Sequence, residues 1–362
     1  MKSVRNRSTS QAAPLSSVEI PLVLYCPGCK GGLTKTHEEY RCEGCHRAYP
    51  VIGGIADLRL SPDPYISFQD EYQKVGALIE AAKRYDFEGL VRFYWDITPD
   101  VPPDLKERYV RYVLGAEARG RAVLEEIDTH APKQVVGESC LELGCGTGGF
   151  LVAAQSRFRN ILGIDIALRW LIIGKKRLEA SGNAARLVCC NAEHLPVRDE
   201  VFDCVVGIHM LEHSQDRHRV VREAGRVLRD NGAYFFSTPN RFSLTREPCV
   251  RVWGVGFLPR PLAGPYVRLL KGIPYRHVRL MSAWELRRLF ANPPFGQPTI
   301  SLPRISPAER AMLSRGMKIL VSIYHALRRV PVVSTLMRLC APLLQVRGRK
   351  RRTPLNEPPY TT

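Results

Sequence analysis

Acid is what this chain is short of. Its 362 residues carry 35 Asp and Glu against 53 Lys and Arg, for a formal net charge of +18. That imbalance points to a polyanionic partner: nucleic acid, an anionic membrane surface or an acidic substrate. A basic tail on an otherwise ordinary chain is the plainer alternative. Long apolar runs are missing too. None reaches the roughly 18–20 uncharged residues that a spanning helix needs. Met1 to Ser17 is basic and Ser-rich without an apolar core segment, so no secretory signal is expected there. There is no internal repeat. The 11 cysteines are odd in number and show no regular disulfide framework. This favours a reducing, cytoplasmic setting.

Hydrophobic residues make up 45% of the chain and charged ones 24%, enough to bury a core in most of it. Residues 1–18 read as a tail, and 19–60 hold paired cysteines among turn residues. Residues 61–135 form a helical lead-in broken near Pro99–Pro103. From about 136 short apolar runs alternate with amphipathic stretches. Ser139–Gly144, Asn160–Ile166, Arg186–Asn191, Phe202–Met210 and Ala233–Thr238 predict strands. Leu168–Ser181 and Gln215–Asp230 predict helices between them. This alternation is that of a doubly wound, Rossmann-like α/β domain over 136–302, with helices on both faces of a parallel sheet. Residues 241–279 form an insert rich in Pro, Gly and Arg. Ser282 with Glu285 three residues on is a capping box. Residues 303–346 are apolar with scattered basic residues and predict helices; 347–362 predict a basic tail.

The most informative stretch is Leu141-Glu-Leu-Gly-Cys-Gly-Thr-Gly-Gly-Phe150, between a predicted strand and a predicted helix. Gly144, Gly146 and Gly148 let the backbone turn sharply and approach a ligand. Asp165 ends the next strand, where an acid takes hydrogen bonds from ribose hydroxyls. The glycines also satisfy a dinucleotide pattern. Glu142 separates the two readings. A carboxylate before the loop repels a pyrophosphate, but suits the sulfonium and amino group of S-adenosylmethionine (SAM).

With these residues the chain resembles the class I SAM-dependent methyltransferases, especially the ubiquinone-biosynthesis O-methyltransferase group, over about 136–292. Asn191-Ala-Glu-His-Leu-Pro196 followed by Phe202-Asp-Cys-Val-Val206 looks like a second motif of that group, with Asn191 where Asp is usual. His209-Met-Leu-Glu-His213 and Ser237-Thr-Pro-Asn240 also fit. The resemblance implies a seven-stranded sheet. It also implies SAM contacts from Glu142, Gly144, Cys145, Gly146, Gly148, Asp165, Ile166, Asn191, Ala192, Glu193 and His209, with Asn191 offering an acceptor to the adenine amino group. An acceptor hydroxyl needs a general base, and His is the default. His209, His213 and His277 are the candidates; the plainer alternative for each is a capping or core histidine.

Cys26-Pro-Gly-Cys29 and Cys42-Glu-Gly-Cys45 are two C-x-x-C pairs a short hairpin apart. Four thiolates at this spacing suit a closed, structural tetrahedral Zn²⁺ site. Gly28 and Gly44 hold matching slots, as tight knuckle turns would want. His37 and His46 are spare ligands. The stretch Tyr49–Asp57 resembles the small Trm112-like zinc-ribbon domains found before or beside methyltransferases.

The apolar stretches Ile319–Leu327 and Val330–Met337 are interrupted by Arg328, Arg329 and Arg338. Helices of that kind lie on anionic lipid at the inner membrane surface; packing on the core is the alternative. Because every SAM motif precedes residue 241, a chain ending near 306 is expected to fold and bind SAM. The leading function is methyl transfer to oxygen or carbon of a small-molecule, sugar or lipid-linked acceptor. RNA methylation, with the ribbon and basic surface holding RNA, is the alternative. The chain has no Asn-Pro-Pro-Tyr-like signature after the fourth strand.

Overall fold

The computed structural model describes residues 23–98, 101, 103–130, 138–291, 294–305, 310, 311 and 313–351. The expected 1–18 tail lies outside them. Four short strands come first: β1 (Leu33–Lys35), β2 (Glu39–Cys42), β3 (Ala48–Ile52) and β4 (Ile55–Asp57). Helices α1 (Phe68–Ala82), α2 (Phe87–Asp96), α3 (Pro103–Leu114) and α4 (Ala116–His130) follow. Strands and helices then alternate through β5 (Ser139–Leu143), α5 (Gly149–Ala154), β6 (Asn160–Asp165), α6 (Leu168–Ala180), β7 (Arg186–Cys189), β8 (Phe202–Ile208), α7 (Arg217–Val227) and β9 (Leu228–Pro239). The chain continues with α8 (Arg260–Lys271), α9 (Ala283–Phe290), β10 (Thr299–Ser301), α10 (Arg315–Leu327), α11 (Pro331–Cys340) and β11 (Leu343–Arg349).

Local chemistry sets the helix starts. Ser67, Asp86 and Asp216 each accept a hydrogen bond from the first-turn backbone of α1, α2 and α7, which satisfies a donor the helix leaves unpaired. Ser282 and Glu285 close the expected capping box on α9. In the central strands side chains alternate between two cores. Leu141, Leu143, Leu162 and Ile164 face one core with α7 and α9. Cys140, Ile161, Cys204 and Val206 face the other with α1, α2, α4 and α6. Both faces are therefore covered, as a parallel sheet requires.

The sheet runs β1-β2-β3-β4-β7-β6-β5-β8-β9-β11-β10, eleven strands where seven were expected. The four strands beyond seven, β1–β4, all join at one of the two edges, and β7-β6-β5-β8-β9-β11-β10 make up the other seven. At that edge β4 pairs in parallel with β7 through Ala56 and Asp57, so the described ribbon residues, 23–60, continue the main sheet. The Gly53-Gly54 turn makes this possible. Both residues have positive φ, as a tight two-residue hairpin needs, and a Cβ on Gly53 would meet Ile172 at 2.6 Å.

At the other edge, residues 343–349 were read as the end of a helical segment and the start of a basic tail. They form a strand antiparallel to both β9 and β10. Leu344 and Val346 are fully buried there. The basic residues between and after them find partners: Arg347 pairs with Glu126 at 3.4 Å, and Lys350 bonds Glu200 at 2.9 Å and the Leu228 carbonyl at 2.8 Å. Arg352 lies outside the described residues. A chain ending near 306 would thus strip β9 of its neighbour, against the expectation that it folds alone. Leu344→Ala should lower unfolding free energy by about 2–5 kcal/mol, the usual loss for a buried leucine. Denaturant titration of the full chain measures it.

Candidate functional site

The glycine loop joins β5 to α5. Gly144, Gly146 and Gly148 have φ of 69°, 50° and 71°, a region that side chains with a Cβ rarely adopt. A Cβ on Gly144 would meet Met210 at 2.5 Å, whereas one on Gly146 would project into open space. That space is a cleft of about 530 Å³ over the carboxyl ends of the strands, where ligands bind in open α/β sheets.

Glu142, Gly144, Cys145, Gly146, Asp165, Ile166, Asn191, Ala192, Glu193, His209 and His213 all line this cleft. Gly148 does not; it sits behind, as the left-handed residue that starts α5. Asp165 accepts hydrogen bonds from the backbone N–H groups of Gly146 and Ala167, both at 2.8 Å. It thereby fixes the loop while its carboxylate stays at the cleft. Burial raises its pKa to about 6, with those N–H groups opposing. Glu142 is pushed well above the ordinary carboxylate value by burial and by Asp165. Its Oε2 is buried without a hydrogen-bond partner. Two neighbouring acids, the half-buried Asp165 and the buried Glu142 with its orphaned oxygen, form a floor that a cationic ligand group stabilises. Glycine cradle, ribose-competent acid and unsatisfied carboxylate together fit SAM.

Asn191 departs from expectation. Its Oδ1 accepts from Leu60 N at 2.9 Å and Ser61 N at 3.4 Å, and its Nδ2 donates to Ser61 Oγ at 3.0 Å. The acceptor reserved for an adenine amino group is already occupied, so this side chain fastens the end of the ribbon to β7 instead. Glu193 similarly accepts from the Gln215 and Asp216 N–H groups, ahead of α7.

The three candidate histidines divide. His213 Nδ1 lies 2.7 Å from the Tyr65 hydroxyl, and His277 meets the same ring edge-on at 5.7 Å. His277 is not part of the cleft lining. His209 bonds the Tyr112 hydroxyl at 3.1 Å. Both His209 and His277 hold positive φ, an uncommon state for a non-glycine residue. Burial lowers the pKa of His209 and of His213 to about 4, so both rings are neutral at pH 7. The direction of the Tyr65–His213 bond follows the imidazole tautomer; in the tautomer whose Nδ1–H donates to the phenol oxygen, Nε2 is a proton acceptor. Glu212 is pushed up to about 7 by burial while bonding Thr238 at 2.9 Å.

Several cleft residues escaped sequence reading: Asp63, Tyr65, Tyr112, Arg119, Arg169 and Trp170. Arg169 bridges Asp63 and Glu71, each at 2.8 Å. The Pro62-Asp63-Pro64 turn was the signal available, since prolines on both sides restrict the backbone around that acid.

At the ribbon, the four sulfurs of Cys26, Cys29, Cys42 and Cys45 all lie within 4.8 Å of one another. Neither His37 nor His46 joins them. The left-handed turn residues are Lys30 and His46, each directly after a second cysteine, not Gly28 and Gly44. Gly44 instead leaves room beside the sulfurs, where a Cβ would sit 3.6 Å from Cys29 Sγ. The donor set and its compactness fit tetrahedral Zn²⁺.

Residues 141–236 match the family described as a methyltransferase domain. Ubiquinone biosynthesis O-methyltransferase of Thiobacillus denitrificans is 30% identical over 45% of this chain and 65% of its own length. The enzyme of that name from Chromobacterium violaceum is 28% identical over 52% and 76%, and that of Idiomarina loihiensis 29% over 56% and 74%. The chain thus spans about two thirds of the first of these relatives. Among solved structures, a Thermotoga maritima SAM-dependent methyltransferase described as a possible histamine N-methyltransferase is 20% identical, with TM-score 0.42 over 68% of this chain and 95% of its own. Haemonchus contortus phosphoethanolamine N-methyltransferase 2 with SAM bound is 16% identical, with TM-score 0.42 over 63% and 52%. Residues 141–236 are thus similar to a methyltransferase domain.

Asp165→Asn should weaken SAM binding about tenfold or more, because hydrogen bonds to a charged group contribute ~1.5–3 kcal/mol. The wild-type affinity should fall as pH drops through about 6, where Asp165 takes up a proton. Calorimetry between pH 5 and 8 tests both; equal affinity throughout would remove Asp165 from the binding site.

Proposed function

We propose that this chain transfers the SAM methyl group to an oxygen of a small-molecule or lipid-linked acceptor, seated between Tyr65, Tyr112, His209 and His213. The observation that carries this reading is the orphaned Glu142 oxygen beside Asp165 under an open glycine cradle. When bound there, SAM supplies a methyl carbon activated by a sulfonium. Glu142 would hold its amino group, and Asp165 would accept from its ribose hydroxyls. The backbone at Gly146 leaves the approach open. In-line displacement forms the acceptor O–CH₃ bond as the S–CH₃ bond breaks, leaving S-adenosylhomocysteine. His213 Nε2 takes the acceptor proton, in the tautomer whose Nδ1–H donates to Tyr65. Positioning provides much of the rate. The named activity of the curated relatives, O-methylation, supports oxygen over carbon. They give the RNA alternative no support.

His213→Ala should cut methyl transfer by ~10²–10⁴-fold, the usual contribution of a positioned base, with SAM affinity nearly unchanged. Labelled SAM incubated with separate lipid, RNA and small-molecule fractions gives both the acceptor class and the readout. Label entering only RNA would overturn the reading.

The four cysteines hold, in this proposal, a single structural Zn²⁺. The ribbon is not separable from the core: Tyr25 N bonds the Pro196 carbonyl and Lys30 Nζ the Leu195 carbonyl. Cys26→Ser should therefore lose zinc, lower the melting temperature of the whole chain and weaken SAM binding. Elemental analysis with thermal unfolding checks this. Full SAM affinity in a zinc-free chain would show that the ribbon acts independently.

A further inference from the structure

Helices α10 and α11 form a bent pair with an angle of 118° between them. Together they are rich in Leu, Ile, Val and Met, yet Val321 is their only buried residue among those described. Ile319, Leu320, Ile323 and Leu327 line one side of α10, and all are exposed. Val332, Leu336 and Leu339 continue that surface on α11, with Val332 70% exposed. The spacing on each helix is that of a single stripe. Aliphatic stripes of this extent on a protein surface mark an interaction site.

The opposite side of α10 has another character. Lys318, His325, Arg328 and Arg329 face α4 and Arg304 across an open cleft of about 800 Å³, with Arg310 also at its wall. Five cationic side chains meet only two carboxylates there, Glu125 and Glu126. Glu126 is already engaged by Arg304 N at 2.7 Å and by Arg347 at 3.4 Å. Arg310 donates to Ser322 Oγ at 2.7 Å and Arg328 to the Pro303 carbonyl at 3.2 Å, neither of them a charged partner. The His325 ring is held below its ordinary pKa by burial and then by Arg328, Arg310, Arg304 and Arg329. Among the described residues the cleft is thus lined by more cationic than acidic side chains.

We propose that this cleft receives the phosphate of an anionic lipid headgroup while the outer stripes of α10 and α11 lie in the adjoining acyl region. Neither helix alone is long and apolar enough to cross a membrane, and the two pass that test only as a pair bent by 118°. With basic residues at the bend and on the inner side, the pair in this proposal lies in the interface. Charge decides among occupants. A second copy docked on this face would bring a like set of cations against the first. RNA would meet the cations but leave the aliphatic stripes in water, and the hydroxyl of Tyr324, the only tyrosine of α10, is bonded to the Pro303 carbonyl at 2.7 Å. An anionic bilayer satisfies charge and stripe together. The inference deepens the lipid-linked acceptor reading, because it places the enzyme where such an acceptor resides.

The test uses the full chain in flotation with neutral phosphatidylcholine vesicles and with vesicles containing phosphatidylglycerol, at low and high salt. SAM affinity by calorimetry is the control for folding. The wild type should float only with the anionic vesicles, less so at high salt. Arg328→Gln with Arg329→Gln, and separately Ile319→Ser with Ile323→Ser, should each weaken flotation roughly tenfold or more at unchanged SAM affinity. If the arginine pair disturbs SAM binding, Lys318→Gln takes its place. Equal binding to neutral vesicles, or undiminished binding by the charge variants, overturns the headgroup site. Tight binding of inorganic phosphate without flotation assigns the cleft to a free anion and also overturns it. So does loss of a dimer, in place of loss of flotation, in the isoleucine variants. Failure of SAM to bind the wild type would instead defeat the methyltransferase reading and leave the flotation result standing.

Discussion

The structure depends on a buried network of two arginines and three carboxylates. Arg59 bonds Asp57 at 2.6 Å and also pairs with Glu71. Arg169 joins Glu71 to Asp63. All five residues are buried. Removing charges from water costs several kcal/mol each unless partners and geometry compensate. Each member here therefore constrains the others. Asp57 belongs to β4, Glu71 to α1 and Arg169 to α6, while Arg59 also donates to the Ile166 carbonyl at 3.1 Å. One network thus locks ribbon, helical lead-in and cleft floor into a fixed relation. Losing Arg59 would take from Asp57, and losing Arg169 from Asp63, the arginine that each is paired with here, the more damaging outcome for a buried charge.

That constraint explains what could be read from sequence. The glycine loop, Asp165 and the alternating strands are local patterns, and a periodicity of two or a glycine at a forced turn survives any tertiary context. The cysteine pairs were legible for the same reason. Asn191 was not, because its role is set by Leu60 and Ser61, far away in the chain. A motif position can keep its place and exchange its partner. The end of the chain misled differently. Leu344 and Val346 alternate with Arg347 and Arg349, which is a strand pattern, but the density of basic residues reads as a solvated tail. Glu126, on a helix more than two hundred residues earlier, is what allows Arg347 to sit against the core.

The cleft shows a second consequence of burial. The same desolvation acts in opposite directions on acids and bases. It raises Glu142 and Asp165 and lowers His209 and His213. The floor becomes a place that favours a cation, while the histidine end holds neutral rings able to accept a proton. A sulfonium reacting with a neutral hydroxyl asks for that division. Positive charge is needed on the ligand at one end, and an uncharged base is needed at the other. The tyrosines add to it, because Tyr65 and Tyr112 each engage one imidazole at its Nδ1.

The apolar hairpin can be exposed without loosening the fold because of where it is inserted. It leaves the sheet after β10 and returns as β11, and these two strands pair with each other. Both roots are anchored, and Tyr324, Arg328 and Arg338 tie the hairpin to the carbonyls of Pro303 and Ile300. The hairpin thus contributes little buried area to the core, yet cannot swing away from it. Its orientation is set by the sheet, and so is the direction in which its aliphatic stripes point. A flexible tail of the same composition would gather the same charge but would not present it on one defined face. The rigid mounting gives the basic cleft a fixed position behind the apolar surface, so that whatever binds one side is presented to the other.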